Sequence, residues 1–206
     1  MILVYALILG FVAGAVRAWV ARRPYTVPEL QYLWLAGLAF IPQWVAFFLP
    51  YTRNHISRTG AAVALVSSQV LLLLFAWRNR EHKGFWLLGA GLLLNLLVIG
   101  ANGGLMPVSP ETVARLHGVD VSALEIPVGS RVGTSKDVLL PTTETHLEWL
   151  ADRFLLPSWV PYRVAFSLGD VLIALGVLVF FWQAGGGYSS PAESQAPVMA
   201  EHRSEK

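Results

Sequence analysis

Two aspartates lie at positions where a carboxylate could act as an acid or a base in a reaction. Asp170 lies near the start of the apolar run "FSLGDVLIALGVLVFFW", residues 166–182, and Asp152 precedes that run. A carboxylate at membrane depth costs roughly 2.5 to 3.5 kcal/mol on insertion scales, so it faces a bundle interior or a wet cavity and is a candidate functional group. Two close carboxylates share a proton, so that one acts as base and the other as acid. The structural alternative for Asp170 is an acceptor for Ser167 and nearby backbone.

A second group of polar residues lies close to these aspartates in the sequence or in the expected topology. Arg153 follows Asp152 directly and can bind a lipid phosphate. The Asn102-Gly103-Gly104 stretch permits positive backbone φ where the fourth apolar run ends. A simple turn explains that stretch, and so does a close backbone approach to Asp170 or to a ligand. The candidate catalytic residues are therefore Asp152 and Asp170, and the candidate binding residues are Asn102, Gly103, Gly104, Arg153 and Ser167.

The remaining composition argues against several other kinds of site. The chain has no cysteine, and its five histidines show no metal-ligand spacing and no HExxH pattern. We find no G-x-S-x-G elbow and no P-loop. We therefore expect no metal and no cofactor. A net charge of +2 is too small to indicate nucleic acid as a partner.

Long apolar runs predict an all-α membrane protein. Of 206 residues, 55% are hydrophobic and only 14% are charged, and a membrane helix needs about 20 mostly apolar residues. Five runs approach that length, and the third, 61–77, has only 17 residues, so we expect Ser67, Ser68 and Gln69 to hold it by interhelical hydrogen bonds. The five predicted spans are 1–20, 30–49, 61–77, 85–100 and 164–182, within a membrane domain of residues 1–183.

The basic residues predict how this membrane domain is oriented. No charge precedes the first run, whereas Arg17, Arg22 and Arg23 follow it, which favours a retained anchor with its N-terminus outside. The chain is then a multi-pass protein of the cytoplasmic membrane, with an extracytoplasmic segment at 107–163. The Gly- and Ser-rich tail, 184–206, is expected to be cytoplasmic and disordered.

The segment between the fourth and fifth runs is expected to be partly ordered. "SPETVARLHG" predicts a short helix with Ser109 as N-cap and Gly118 as its stop. "THLEWLADRFLLP" predicts an amphipathic helix on the membrane surface, because Leu147, Leu150 and Phe154 share one helical face. Such a helix, followed by a proline-rich turn, would leave Asp152 and Asp170 near the same membrane face.

Three stretches resemble a known family. "NGGLMPVSP" (102–110), "THLEWLAD" (145–152) and "FSLGDVLIALGV" (166–177) are similar in order and topology to small bacterial integral membrane proteins known only as a domain of unknown function. The likeness covers nearly the whole chain. It implies a membrane location and an architecture, but no reaction.

A fainter likeness is to lipoprotein signal peptidases of the type II family. Their catalytic aspartates lie in G-N-x-x-D-R and N-x-A-D stretches near the outer membrane face. "EWLADR" resembles the first stretch at Asp152 and Arg153, and "SLGD" resembles the second at Asp170. This chain departs from both stretches. Glu148 and Trp149 stand where the first stretch has Gly and Asn, and Ser167 and Gly169 stand where the second has Asn and Ala. Five spans are predicted for this chain, whereas that family has four.

Three classes of function remain open on this reading. The first is a membrane protein without catalysis that binds a lipid, a peptide or a partner subunit at its outer face. The second, implied by the fainter likeness, is an aspartic hydrolase acting at the outer membrane interface. A transporter is disfavoured because the chain shows no internal repeat. The oligomeric state, the ligand and any partner beyond the lipid bilayer stay undetermined.

Overall fold

The fold was obtained as a computed structural model, which describes residues 2–157, 160 and 163–186. It is mostly helical, with a few short strands between the last two long helices. The helices are α1 (Ile2–Val20), α2 (Leu33–Gln43, continued by a π-helical turn Trp44–Phe48), α3 (Pro50–His55), α4 (Arg58–Arg78), α5 (Lys83–Ala101), α6 (Pro110–His117) and α7 (Leu168–Ala184). The strands are β1 (Met106–Val108), β2 (Asp137–Leu139), β3 (Phe154–Leu155) and β4 (Ala165–Phe166). Residues 187–206, most of the predicted tail, lie outside the described residues.

Five apolar helices coincide with the predicted apolar runs. Within the described residues, three are long and apolar enough to cross a membrane: Leu3–Val20, Arg58–Arg78 and Lys83–Ala101. Two others are apolar but shorter, Leu33–Phe48 and Leu168–Ala184. The lengths and composition of these helices agree with a membrane protein.

The third apolar run is longer than the sequence indicates. We expected a span of 17 residues at 61–77, whereas α4 has 21 residues and begins at Arg58. Ser57 caps it, because its hydroxyl accepts a hydrogen bond from the backbone N–H of Gly60 at 3.1 Å. The helix extends beyond the apolar run because Arg58 and Thr59, which are polar, still form its first turn.

A polar contact joins α2 to α4 next to a proline. Pro42 lies inside α2 and cannot donate to the helix ladder, and a π-helical turn follows it. Gln43 donates a hydrogen bond to the hydroxyl of Ser68 at 2.6 Å. Gln69 is buried, yet its side-chain carbonyl has no partner among the described residues. Ser68 is therefore the residue that links the two helices, rather than Gln69.

Glycines bring α7 into close contact with α5. Gly176 lies against Gly84 and Gly169 against Gly91, so two pairs spaced by seven residues face each other in antiparallel order. A Cβ added at Gly176 would lie 2.6 Å from both the carbonyl oxygen of Gly84 and the backbone nitrogen of Leu88. Small residues permit such close approach of helices in a membrane. α1 packs parallel to α7 on another side.

The described residues of the connecting segment, 102–157, 160 and 163–167, form a small folded layer over one end of the bundle. β1 pairs in parallel with β2, and β3 pairs antiparallel with β4. The expected helix is confirmed as α6, with Ser109 as N-cap and Gly118 at φ 71°. The core is continuous with the bundle, since Leu105, Met106, Val138 and Leu150 of the segment pack with Ala61, Leu65, Val98 and Ile99 of α4 and α5.

The predicted surface helix of the segment is absent, and that prediction was wrong. Leu147 takes a left-handed conformation (φ 55°), and only a short 3₁₀ turn, Glu148–Leu150, follows it. The backbone N–H of Asp152 then donates to Pro107 O at 3.1 Å beside β1. Leu150 is buried on the bundle, whereas Leu147 and Phe154 are exposed. Pairing with β1 therefore outweighs the local helical pattern.

Candidate functional site

Asp170 is first of all a helix cap. It occupies the third position of α7, and its Oδ2 accepts a hydrogen bond from the backbone N–H of Ser167 at 3.2 Å. In return, the hydroxyl of Ser167 accepts from the backbone N–H of Asp170 at 3.1 Å. This reciprocal pair is a capping box, which satisfies two backbone donors that the helix leaves free.

Asn95 completes the surroundings of Asp170. It is buried on α5, donates to Oδ1 of Asp170 at 3.0 Å, and accepts from the hydroxyl of Ser167 at 2.9 Å. Both carboxylate oxygens of Asp170 therefore have partners. Asn95 is not among the candidate site residues that the sequence predicts. Its position one turn after Gly91, where α5 and α7 touch, is the sequence signal that would have placed it next to Asp170.

Asp152 lies in a buried ion pair with a residue that the sequence did not single out. It is only 1% exposed, and its Oδ2 lies 2.7 Å from the Nζ of Lys136. The same ammonium group lies 3.5 Å from Oδ1 of Asp137. Lys136 and Asp137 come from a stretch with no periodicity, and only the pairing of β2 beside β1 brings them to Asp152.

The electrostatics of the ion pair depend on burial and on the number of carboxylates. Burial raises the pKa of the Asp152 carboxyl; Lys136 opposes that change, while Asp137 and Asp170 reinforce it. Burial lowers the pKa of Lys136, but the three carboxylates outweigh it, so its pKa is raised and the ammonium stays charged. The field of Asp170 thus reaches both partners. We define Lys136, Asp137, Asp152 and Asp170 as the charge cluster.

Asp152 and Asp170 do not form a hydrogen-bonded dyad with each other. Asp170 is bound by Asn95 and Ser167, whereas Asp152 is bound by Lys136. Oδ1 of Asp152 and Oδ1 of Asp137 are both buried without a hydrogen-bond partner in the described part of the chain. Oδ1 of Asp137 lies 3.5 Å from the ammonium group of Lys136, so Oδ1 of Asp152 is the one that remains for a further contact. An unpaired buried acceptor costs about 1 to 3 kcal/mol. The cluster can therefore accept a hydrogen bond from a donor that reaches it.

The other predicted site residues have structural roles. Asn102 donates to Val98 O and to His146 O, both at 2.8 Å, and accepts from the backbone N–H of His146 at 2.9 Å. The amide of Asn102 therefore ends α5 and fastens the connecting segment, as the simple turn requires, and it forms no hydrogen bond with Asp170. Gly103 and Gly104 have φ values of 78° and 86° and form the turn that follows.

Arg153 lies apart from the cluster, and no metal site accompanies it. Its guanidinium forms a solvent-exposed ion pair with Glu148 at 3.3 Å. In the part of the chain that the structure describes, no group of three or more His, Cys, Asp or Glu residues is arranged to hold a metal ion. Between Asp137 and Asp152, the ammonium of Lys136 occupies the place that a cation would take.

Comparison with known proteins yields two matches. A family model described as "Family of unknown function (DUF5317)" matches residues 28–182, which contain the whole charge cluster. An uncharacterized protein of Thermotoga maritima is 31% identical over 140 residues, which are 66% of this chain and 71% of that protein. No solved structure matches the chain. Neither match supports the likeness to lipoprotein signal peptidases.

Proposed function

Because this chain belongs to the DUF5317 family of unknown function, we propose a function from its own geometry: a multi-pass membrane protein that binds, without catalysis, a lipid headgroup carrying a primary ammonium group at its outer face. The observation that carries the proposal is the charge cluster. It places the carboxylates of Asp137 and Asp152 beside the ammonium group of Lys136, within the field of Asp170, and Oδ1 of Asp152 is buried without a donor among the described residues.

The distribution of charge supports the membrane topology on which this proposal depends. Arg17 donates to Trp182 O at 2.7 Å at one end of α7. At the same end, Arg78 lies over Tyr32, 5.3 Å from the ring centroid, just before α2. The charge cluster lies at the opposite end of α7, beside Ser167. By the positive-inside rule the basic end is cytoplasmic, so five helices cross the cytoplasmic membrane of a bacterium, with the N-terminus and residues 107–163 outside and the C-terminus cytoplasmic.

The orientation has a direct test because the chain lacks cysteine. Ser122 and Glu81 are both exposed, one in the connecting segment and the other between α4 and α5. We expect Ser122→Cys to react with an impermeant thiol reagent in intact cells, and Glu81→Cys to react only after the cells are opened. The reverse pattern refutes the topology.

The chemistry of the cluster indicates the kind of headgroup. The cluster holds three carboxylates and one ammonium group, and it keeps an excess of carboxylates even when Asp152 is protonated, so a cationic ligand is favoured over an anionic one. The free Oδ1 of Asp152 requires an N–H or O–H donor. A primary ammonium group supplies both the charge and the donor, whereas a quaternary ammonium supplies the charge alone.

Exposed apolar side chains beside the cluster indicate that the ligand is an amphiphile. Trp149 is 55% exposed, Phe154 43% and Leu147 40%, and all three flank Asp152 in the sequence. Tryptophan is typical of the interface between headgroups and hydrocarbon. Such a rim would lie beside lipid at the depth of the headgroups, where an ethanolamine lipid presents its ammonium group.

The test compares headgroups that differ in methylation. Protein in phosphatidylcholine nanodiscs is supplemented with phosphatidylethanolamine or with its N,N-dimethyl form, and thermal unfolding is measured. We expect phosphatidylethanolamine to raise the unfolding temperature and each added methyl to reduce that rise. Asp152→Asn should abolish the response, while Glu148→Gln, an exposed carboxylate of the same segment, should keep it. Equal unfolding temperatures in all lipids, or an unchanged response of Asp152→Asn, refute the proposal.

A second candidate is hydrolysis by an aspartic pair, the alternative that the sequence leaves open. The pKa of Asp152 is raised by burial and by Asp137 and Asp170, but no hydrogen bond joins Asp152 to Asp170 among the described residues. The test is cleavage of a fluorogenic lipopeptide by reconstituted protein. Hydrolysis that disappears in both Asp152→Asn and Asp170→Asn supports this candidate, and a background rate in the unmodified protein excludes it for that substrate.

A further inference from the structure

An apolar groove runs between α4 and α5, towards the end of the bundle that carries Arg78 and Arg80. Its volume is about 610 Å³, within the range of about 300 to 1,000 Å³ of ligand pockets. Almost all of its surface is apolar. Its walls include Val70, Leu74 and Trp77 on α4 and Gly89, Ala90 and Leu93 on α5.

A polar cavity continues this groove at the arginine end. It has a volume of about 280 Å³, and it shares Trp77 and Arg80 with the groove. Arg78 and Glu81 also line it, so two guanidinium groups face one carboxylate. Neither arginine forms an ion pair among the described residues. Arg80 lies over the Trp77 ring, 4.2 Å from its centroid, at the point where the two spaces meet.

We propose that this site binds one anionic phospholipid, with an acyl chain in the groove and the phosphate on Arg80. The groove lies on two helices that are each long and apolar enough to cross a membrane, so the hydrocarbon of a lipid can reach it. From Val70 to Trp77 it extends about 10 Å along α4, at about 1.5 Å per residue, which is enough for the part of an acyl chain next to the headgroup. A guanidinium binds phosphate through two parallel hydrogen bonds.

The charge of the polar cavity selects an anionic lipid in preference to another occupant. Two guanidinium groups against one carboxylate leave a net positive charge where the headgroup would lie. A zwitterionic lipid would add its own cation next to these arginines. A helix from a second copy would fill the groove but would bring no negative group to Arg80.

Gly89 permits a test that changes the groove without disturbing the bundle. A Cβ added there would meet only the Cβ of Ala76 at 3.7 Å, which is an ordinary contact, so a larger side chain at this position would project into the groove. Gly37 on α2 offers a matched control, because a Cβ there would have no neighbour within 4 Å. Gly89→Leu and Gly37→Leu therefore add the same atoms to two open helical surfaces.

Binding can be measured by the quenching of tryptophan fluorescence, since Trp77 and Trp86 both line the groove. Protein in detergent is titrated with phosphatidylglycerol or phosphatidylcholine that carries dibrominated acyl chains. We expect saturable quenching with an affinity at least about tenfold higher for phosphatidylglycerol, equivalent to about 1.4 kcal/mol. Gly89→Leu should lose the saturable phase, Arg80→Gln should lose the preference, and Gly37→Leu should retain both.

Three results would overturn the proposal. Equal quenching by the two lipids would mean that lipid solvates this surface without recognition of its charge. Unchanged quenching in Gly89→Leu would place the bound lipid elsewhere. A concentration-dependent dimer that Gly89→Leu abolishes would identify a second copy of the chain as the occupant. The outer-face proposal is independent of these outcomes, because it depends on Asp152 and on a different headgroup.

Discussion

Replacing Gly176 with alanine tests whether glycine contacts hold α7 in place. The added Cβ would lie 2.6 Å from the carbonyl oxygen of Gly84 and from the backbone nitrogen of Leu88. Both neighbours belong to the backbone of α5, so neither can rotate away. The two helices must separate, by about 0.8 Å, to restore an ordinary contact of 3.4 Å.

This separation sets the expected loss of stability. Overpacking of a closely packed interior costs about 1 to 3 kcal/mol, whereas alanine in place of glycine within a helix gains about 0.5 to 1 kcal/mol. We therefore expect Gly176→Ala to lower the free energy of unfolding by about 1 to 2 kcal/mol. Because Gly169 and Asn95 belong to the same interface, the separation should also lengthen the hydrogen bonds to Asp170.

The measurement is unfolding in detergent micelles, with Gly89→Ala as the matched control. A Cβ at Gly89 meets only Ala76 at 3.7 Å, so this variant should be as stable as the unmodified protein or more stable by up to about 1 kcal/mol. Equal stability of Gly176→Ala and Gly89→Ala would show that the contact between α5 and α7 tolerates a methyl group and would refute the reasoning.

Three further predictions concern polar groups. Asp170→Asn keeps one acceptor oxygen for two donors, so we expect the protein to fold with a loss of about 1 to 2 kcal/mol in unfolding experiments; complete loss of folded protein would contradict this. The pKa of Asp152 in the folded state lies above its value in the unfolded state, so at a pH between these two pKa values the folded state binds more protons than the unfolded state. Thermal stability should therefore fall as the pH rises from about 4 through the folded-state pKa. Asp152→Asn should flatten this pH dependence of the unfolding temperature. Gln69→Leu should leave stability unchanged or raise it by about 1 kcal/mol, since the buried carbonyl of Gln69 has no partner among the residues that the structure describes; a clear loss in thermal unfolding would reveal a hydrogen bond.

Local signals were sufficient for the helices and for one cap. Apolar runs of membrane length and the "SPETVARLHG" pattern depend on neighbouring residues alone, so α1, α5 and α6 were predicted close to their observed bounds. Ser167 and Asp170 lie three residues apart, a spacing that suits a capping box, and the interpretation of Asp170 as an acceptor for Ser167 is confirmed.

Contacts between distant residues decided the rest, because a sequence pattern carries no information about which backbone pairs with which. Asn95 and Asp170 meet only where Gly91 and Gly169 let two helices touch. Lys136 reaches Asp152 only because both flank β1, and that pairing replaced the surface helix that a local pattern favoured. The sequence therefore shows which residues of the site are charged. Which residues contact them depends on long-range pairing, and so does the raised pKa of Asp152.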